Sequence, residues 1–275
     1  MFWSALAQWS AEPVPLLAAA AGITLYVAGR RDMRRCGDRN AWDQRDLWFT
    51  CGMAALLLSL ISPIAAFDGR LQWDHMLQHV LMLALAPPLL IIGDAFPTVR
   101  RGVVAFRDGA TPAWLARLDA AAVWFLRSRL AACLAFLMFT LNLLAWHIPA
   151  VYNLTLSSEP VHDLEHTLFF ATGLLFWAAV IGSPSTRFAT LQRRAVVAFA
   201  GLLVGWALAV VIGYASHPLY AYPPQPGISP LMDQQMAAGI MWVPASIPFV
   251  VALINIGIEW FEREEPEVAL DGVAR

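Results

Sequence analysis

The stretch AVVAFAGLLVGWALAVVIGYAS, residues 195–216, carries no charged side chain and is bracketed by Arg193-Arg194 before it and His217 after it. A helix of that length crosses the hydrocarbon core of a bilayer, because each residue adds about 1.5 Å. Working outward, six more apolar runs of similar length occur at 13–29, 47–67, 75–93, 130–148, 163–182 and 236–257. The whole chain of 275 residues is 59% hydrophobic and 14% charged. A soluble domain is nearer 45–50% apolar and about 25% charged. The reading is therefore an all-α polytopic membrane protein, with seven transmembrane helices forming one integral domain over 1–275. This composition excludes soluble enzymes, disordered chains and nucleic-acid binders. All 18 basic residues are arginines, so Schiff-base and P-loop lysine chemistry are absent. Cys36, Cys51 and Cys133 are too few and too scattered for a disulfide framework.

Arginine placement sets the expected orientation. Segments 30–46 and 94–129 hold six each, 183–194 holds three, and the C-terminal tail holds two, which leaves only Arg70 on the other side. Short basic loops stay cytoplasmic, so the N-terminus is expected outside and the C-terminus inside. Residues 1–10 contain no Arg, unlike a secretory signal, and Trp3 and Trp9 suit a membrane interface. Within 94–129, Trp114, Leu118, Ala121 and Phe125 recur at helical spacing, which predicts a helix lying in the cytoplasmic interface or a polar linker. The run Glu262 to Glu267 reads as a solvated tail.

With that orientation, all six histidines fall near the outer face. His75 and His79 open the third span, His147 closes the fourth, His162 and His166 open the fifth, and His217 follows the sixth. Glu12, Asp68, Asp74, Glu159, Asp163, Glu165 and Asp233 lie on the same side, giving it a net charge of −6. Such a mouth attracts cations. The segments His75-Met76-Leu77-Gln78-His79 and His162-Asp163-Leu164-Glu165-His166 share one form, and residues four apart lie on one helix face. Each pair can thus converge on one ion. Imidazole with thioether from Met76, Met232 or Met236 favours copper, particularly Cu(I), over hard ions. The acids offset the positive helix N-termini and suit contacts to ligating imidazoles. His217, alone past the sixth span, reads more simply as an interfacial side chain. Pro87-Pro88, Pro244 and Pro248 are expected to kink their helices and free carbonyls for neighbours.

These residues resemble a known family. His75 to His79 leading to Ala86-Pro87-Pro88-Leu89-Leu90, then Trp146-His147-Ile148-Pro149, then His162 to His166 with Phe176-Trp177, then Asp233-Gln234-Gln235 through Gly239 to Met241-Trp242, look like the caa3-type cytochrome c oxidase assembly factor family, CtaG. The resemblance implies a seven-span protein of the bacterial plasma membrane, without catalysis of its own, needed to assemble active cytochrome oxidase. It implies copper delivery as cargo, with oxidase subunits and an extracytoplasmic copper chaperone as partners. Carried over by position, His75, His79, His147, His162, His166 and Asp233 match its motif blocks as metal residues, with Glu165 and Met236 in support. His217 lies in none of them.

Three other chemistries use the same residue types. A bis-His haem protein for electron transfer would need paired imidazoles and would show a Soret band. A copper permease would want ligands along the whole path, whereas the inner half offers only Cys51, Cys133 and Met53. His162-x-x-Glu165-His166 matches the inverted zinc-protease pattern, but the parallel segment carries Gln78 where the base would stand.

Overall fold

The computed structural model describes residues 13–37, 44–62, 67, 69–107, 111–127, 130–182 and 190–271. Among these there is no β-strand, only an isolated antiparallel bridge between Gln225 and Ile228. Trp3, Trp9, Glu12, Arg39, Asp68, Arg129, Arg187 and Arg275, used above to orient the chain, lie outside the described residues.

Among the described residues, each apolar run includes a helix. The first two are α1 (Pro13–Arg35) and α2 (Gln44–Ile61). The third comprises α3 (Gln72–His79), a π-helical stretch Val80–Leu85 and α4 (Ala86–Ile92). After α5 (Ala95–Ala105) and α6 (Ala113–Arg127), the fourth run forms α7 (Ala131–Trp146), followed by α8 (Pro149–Ser157). The fifth forms α9 (Glu159–Val180), the sixth α10 (Leu191–Gly213), and the last α11 (Pro230–Trp242) and α12 (Ser246–Asp271). Among the described residues, three segments are long and apolar enough to cross a membrane: Gln72–Ile92, Leu191–Gly213 and Pro230–Arg263. The pair α7 and α8, bent by 72° between Trp146 and Pro149, qualifies as a fourth if taken together.

Pro87 and Pro244 stand at breaks in helical bonding, whereas Pro248 sits in the first turn of α12 and does not interrupt it. Pro87 has no N–H to give to the Leu83 carbonyl four residues back, and the backbone there widens to a π-turn in which Ala86 N–H reaches Leu81. Trp177 of α9 donates its indole N–H to that Leu83 carbonyl at 3.0 Å. Gly173, also on α9, permits the approach, since a Cβ there would stand 3.0 Å from the same oxygen. Pro244 interrupts the last run between α11 and α12, and Ala245 N–H turns back to Ile240.

Lipid chains are as apolar as leucine, so helices associate through packing and a few polar bonds rather than through the hydrophobic effect. Phe139, Phe176, Trp177 and Phe249 stack between α7, α9 and α12 with ring centroids 4.3–5.6 Å apart along the series. Gln78 Nε2 donates to the Ser59 carbonyl on α2 (2.8 Å), and Asn142 Nδ2 to Thr172 Oγ1 between α7 and α9 (3.1 Å). Gln234 Nε2 donates to the Ile212 carbonyl between α11 and α10 (2.9 Å).

The sequence did not announce α5. It packs on α1 with Gly29 against the Thr98 carbonyl and Gly102 against the Leu25 carbonyl, contacts that any Cβ would block. The other helix in that segment, α6, bears exposed Trp114 and Leu118, in keeping with an interfacial helix. The run Glu262 to Glu267 continues the helix of α12. Two arginines of the basic side are structural as well. Buried Arg30 pairs with Asp46, and buried Arg194 bonds both the Val180 carbonyl (2.6 Å) and Glu259 (2.7 Å).

Candidate metal centre

One end of the bundle gathers the imidazoles. On α9, His162, Glu165 and His166 occupy the first two turns and share a face by their i, i+3, i+4 spacing. Arg194 grips Val180 at the far end of the same helix, roughly 21 Å from His166 at the helical rise. The histidines of α9 and its contact with Arg194 of α10 therefore lie at opposite ends of that helix. Opposite α9 stands α3, whose His75 and His79 lie one turn apart. His147 caps the C-terminus of α7, and its Nδ1–H donates to the Leu143 carbonyl at 2.8 Å. That bond leaves the lone pair on Nε2.

Ligand atoms from His75, His162, Glu165 and His166 all lie within 4.8 Å of one another. His75 and Glu165 are fully buried (0% exposed each), with His75 Nε2 3.6 Å from Glu165 Oε2. His79 Nε2 stands 3.8 Å from Glu165 Oε1. The rings crowd together: centroids are 4.0 Å apart for His162 and His166, 4.2 Å for His75 and His79, 5.3 Å for His75 and His162, and 5.4 Å for His79 and His166. Among the described residues, neither nitrogen of His79, nor Nε2 of His147 or His166, has a hydrogen-bond partner, although all three side chains are buried. Buried polar atoms are otherwise almost always satisfied. Four donors around an ion with bonds near 2.0 Å stand roughly 3.3 Å apart, so this set closes on a metal by small side-chain movements.

The other expected residues are placed differently. Asp233, at the start of α11, accepts from two backbone N–H groups that open α3: Gln72 to Oδ2 (2.9 Å) and Trp73 to Oδ1 (3.0 Å). It thus caps the helix that carries His75 and His79 and lies outside the four-residue set. Met236 is 39% exposed and Met232 50%, whereas Met76 is buried beside Tyr152, Tyr220 and Tyr222. Gln78, the counterpart of Glu165, is committed to Ser59 rather than to the cluster. His217 is exposed, 3.2 Å from Ser216 Oγ.

A tyrosine wall closes the cluster, and the sequence pattern did not single it out. Tyr152 is fully buried, its ring 5.4 Å from His75 and 4.0 Å from Tyr220, with its hydroxyl 2.9 Å from that of Tyr222. Tyr220 O–H donates to the His147 carbonyl (3.0 Å). Burial pushes its phenol well above the ordinary range, so it remains a donor. Leu219 N–H bonds Gln234 Oε1 (2.6 Å) and Ala221 N–H bonds Asn153 Oδ1 (2.9 Å), which stitches the segment after α10 across this end. The signal available in sequence was aromatic enrichment among polar residues outside a span.

Fold and site together define a helical protein of membrane type with buried imidazoles and one carboxylate gathered at one end. The chain belongs to the cytochrome c oxidase caa3 assembly factor family (Caa3_CtaG), whose sequence pattern matches residues 24–263. It is 26% identical over 272 residues to uncharacterized proteins of Mycobacterium bovis and Mycobacterium tuberculosis, covering 92% of this chain and 40% of each of theirs. An uncharacterized protein of Mycobacterium leprae is 24% identical over 261 residues, covering 89% of this chain and 38% of that one. The chain thus spans about two fifths of the length of these curated relatives. No solved structure matches it significantly.

Proposed function

We propose that this protein serves cytochrome c oxidase assembly by holding copper, as Cu(I), at the outer face of the bacterial plasma membrane and passing it to a nascent oxidase subunit. The observation that carries the reading is the convergence of His75, His162, Glu165 and His166 within 4.8 Å. The donor set supports a borderline-to-soft ion, since three imidazoles and one carboxylate lack the oxygen-rich shell of Mg²⁺ or Ca²⁺. Charge supports a monovalent one. Neutral imidazoles with an ionised Glu165 give the site −1, which one Cu(I) cancels, whereas a divalent ion leaves a net charge in a buried place.

In this reading the N-terminus lies outside and the chain crosses seven times, with Arg194, which meets Val180 at one end of α9, on the cytoplasmic side and the histidines at the other end of that helix outside. The receiving copper centre then faces the same side as the donor. The protein performs no reaction of its own; transfer needs only an exposed mouth and modest affinity. An extracytoplasmic copper chaperone is the natural source, and the acidic mouth favours one with a basic docking patch.

Deletion of the gene, followed by purification of the oxidase, tests the role. The oxidase polypeptide should be present but poorly active and copper-poor, with partial rescue by added copper. A copper-replete oxidase lacking haem, or full activity at limiting copper, would overturn it.

A further inference from the structure

Beside the four-residue set lies a separate cavity of about 60 Å³, walled mostly by hydrocarbon. Its lining includes two of the imidazoles left out of that set, His79 and His147, and two thioethers, Met76 and Met241. The four side chains come from α3, the end of α7 and α11. Phe169 of α9 contacts both imidazoles, with ring centroids 4.5 Å from His79 and 6.4 Å from His147. His79 and His147 are 4% and 7% exposed, and neither His147 Nε2 nor either nitrogen of His79 has a hydrogen-bond partner among the described residues. The Nδ1–H bond to Leu143 fixes the His147 ring with Nε2 as its available lone pair.

We propose that this cavity is a second Cu(I) position, held by His79, His147 and the thioethers of Met76 and Met241. The donors are all neutral and two are soft, a set that favours Cu(I) or Ag(I) over Zn²⁺ or Cu(II). The apolar walls act in the same direction, because a divalent ion loses far more hydration energy on entry than a monovalent one. Glu165 supplies the counter-charge from between the two positions, with Oε2 toward His75 and Oε1 toward His79. One carboxylate thus neutralises an ion in either place, and His79 is the side chain that both faces Glu165 and lines the cavity. An ion moving between positions does so without separating charge.

This inference rests on copper handling by the first set, and its test separates the two claims. Purified full-length protein is titrated anaerobically with Cu(I) against a chromogenic chelator, and the bound metal is examined by X-ray absorption. The His162→Ala/His166→Ala variant should keep one equivalent, now with sulfur neighbours. The His147→Leu/Met76→Leu/Met241→Leu variant should lose that equivalent and keep one bound by nitrogen and oxygen alone. If the first variant keeps no metal, the second position is refuted while the first stands; if it keeps metal without sulfur neighbours, both assignments fail. If wild-type protein binds no Cu(I), both claims fail. Helical content and a monodisperse elution profile, checked for each variant, ensure that lost metal reports lost ligands.

Discussion

Trp177 of α9 donates its indole N–H to the Leu83 carbonyl, 3.0 Å away, and that carbonyl is the one Pro87 leaves without a helical partner. The bond ties α9, which carries three of the four candidate ligands, to the helix that carries His75. Trp177→Phe removes the donor and keeps most of the ring. It should destabilise the protein by about 1 kcal/mol, the scale of interhelical hydrogen bonds in membranes, as read by unfolding in detergent. An unchanged midpoint would mean the carbonyl is satisfied otherwise.

Asp233 gives a sharper discrimination. Both oxygens accept backbone N–H groups of α3, so its role is to cap and position that helix. Asp233→Ala should lose about 0.5–2 kcal/mol of stability, the range for a lost cap. Asp233→Asn retains one acceptor oxygen and should keep its copper at saturation. Loss of all metal from a folded Asp233→Asn protein would identify a ligand instead.

At the opposite end, Asp46 accepts from Tyr26 (2.8 Å) and from Arg30 (2.9 Å) among buried groups. Asp46→Ala leaves the guanidinium buried without its counter-ion and should cost about 3–5 kcal/mol. The double variant Arg30→Met/Asp46→Leu should recover most of that loss in the same unfolding measurement. Equal destabilisation of the single and double variants would show that shape, rather than charge, governs this contact.

The helices beneath the apolar runs, the helix within 113–127 and the facing imidazole pairs were legible because apolar length and i, i+4 spacing are local properties of a helix. Asp233 read as a ligand because its sequence block offers no hint that its oxygens meet the start of a helix about 160 residues away. The division between His75, His162, Glu165 and His166 on one hand and His79 and His147 on the other depends on how α3, α7 and α9 pack. No spacing encodes it. Likewise α5 depends on the mutual approach of Gly29 and Gly102, and the tyrosine wall on a segment folding back over the bundle end.

Acid should oppose metal binding. An imidazole coordinates only when neutral, so each ligating His that is protonated in the free protein must release a proton first. Copper affinity should therefore fall as pH drops through the imidazole range, ordinarily near about 6.5, by up to tenfold per unit for each proton released. Competition titrations across that range, corrected for the chelator's own protonation, check this. A profile that stays flat well below that range would remove the histidines as ligands.

The most direct measurement of the central claim is Cu(I) bound by purified wild-type protein compared with the His162→Ala/His166→Ala variant, together with an optical spectrum for haem. The wild type should bind Cu(I) more tightly than Zn²⁺, and the folded variant should lose the equivalent held by nitrogen and oxygen. No Soret band should be present. Copper binding unchanged in the folded double variant, or a stoichiometric haem spectrum in the wild type, would contradict the account.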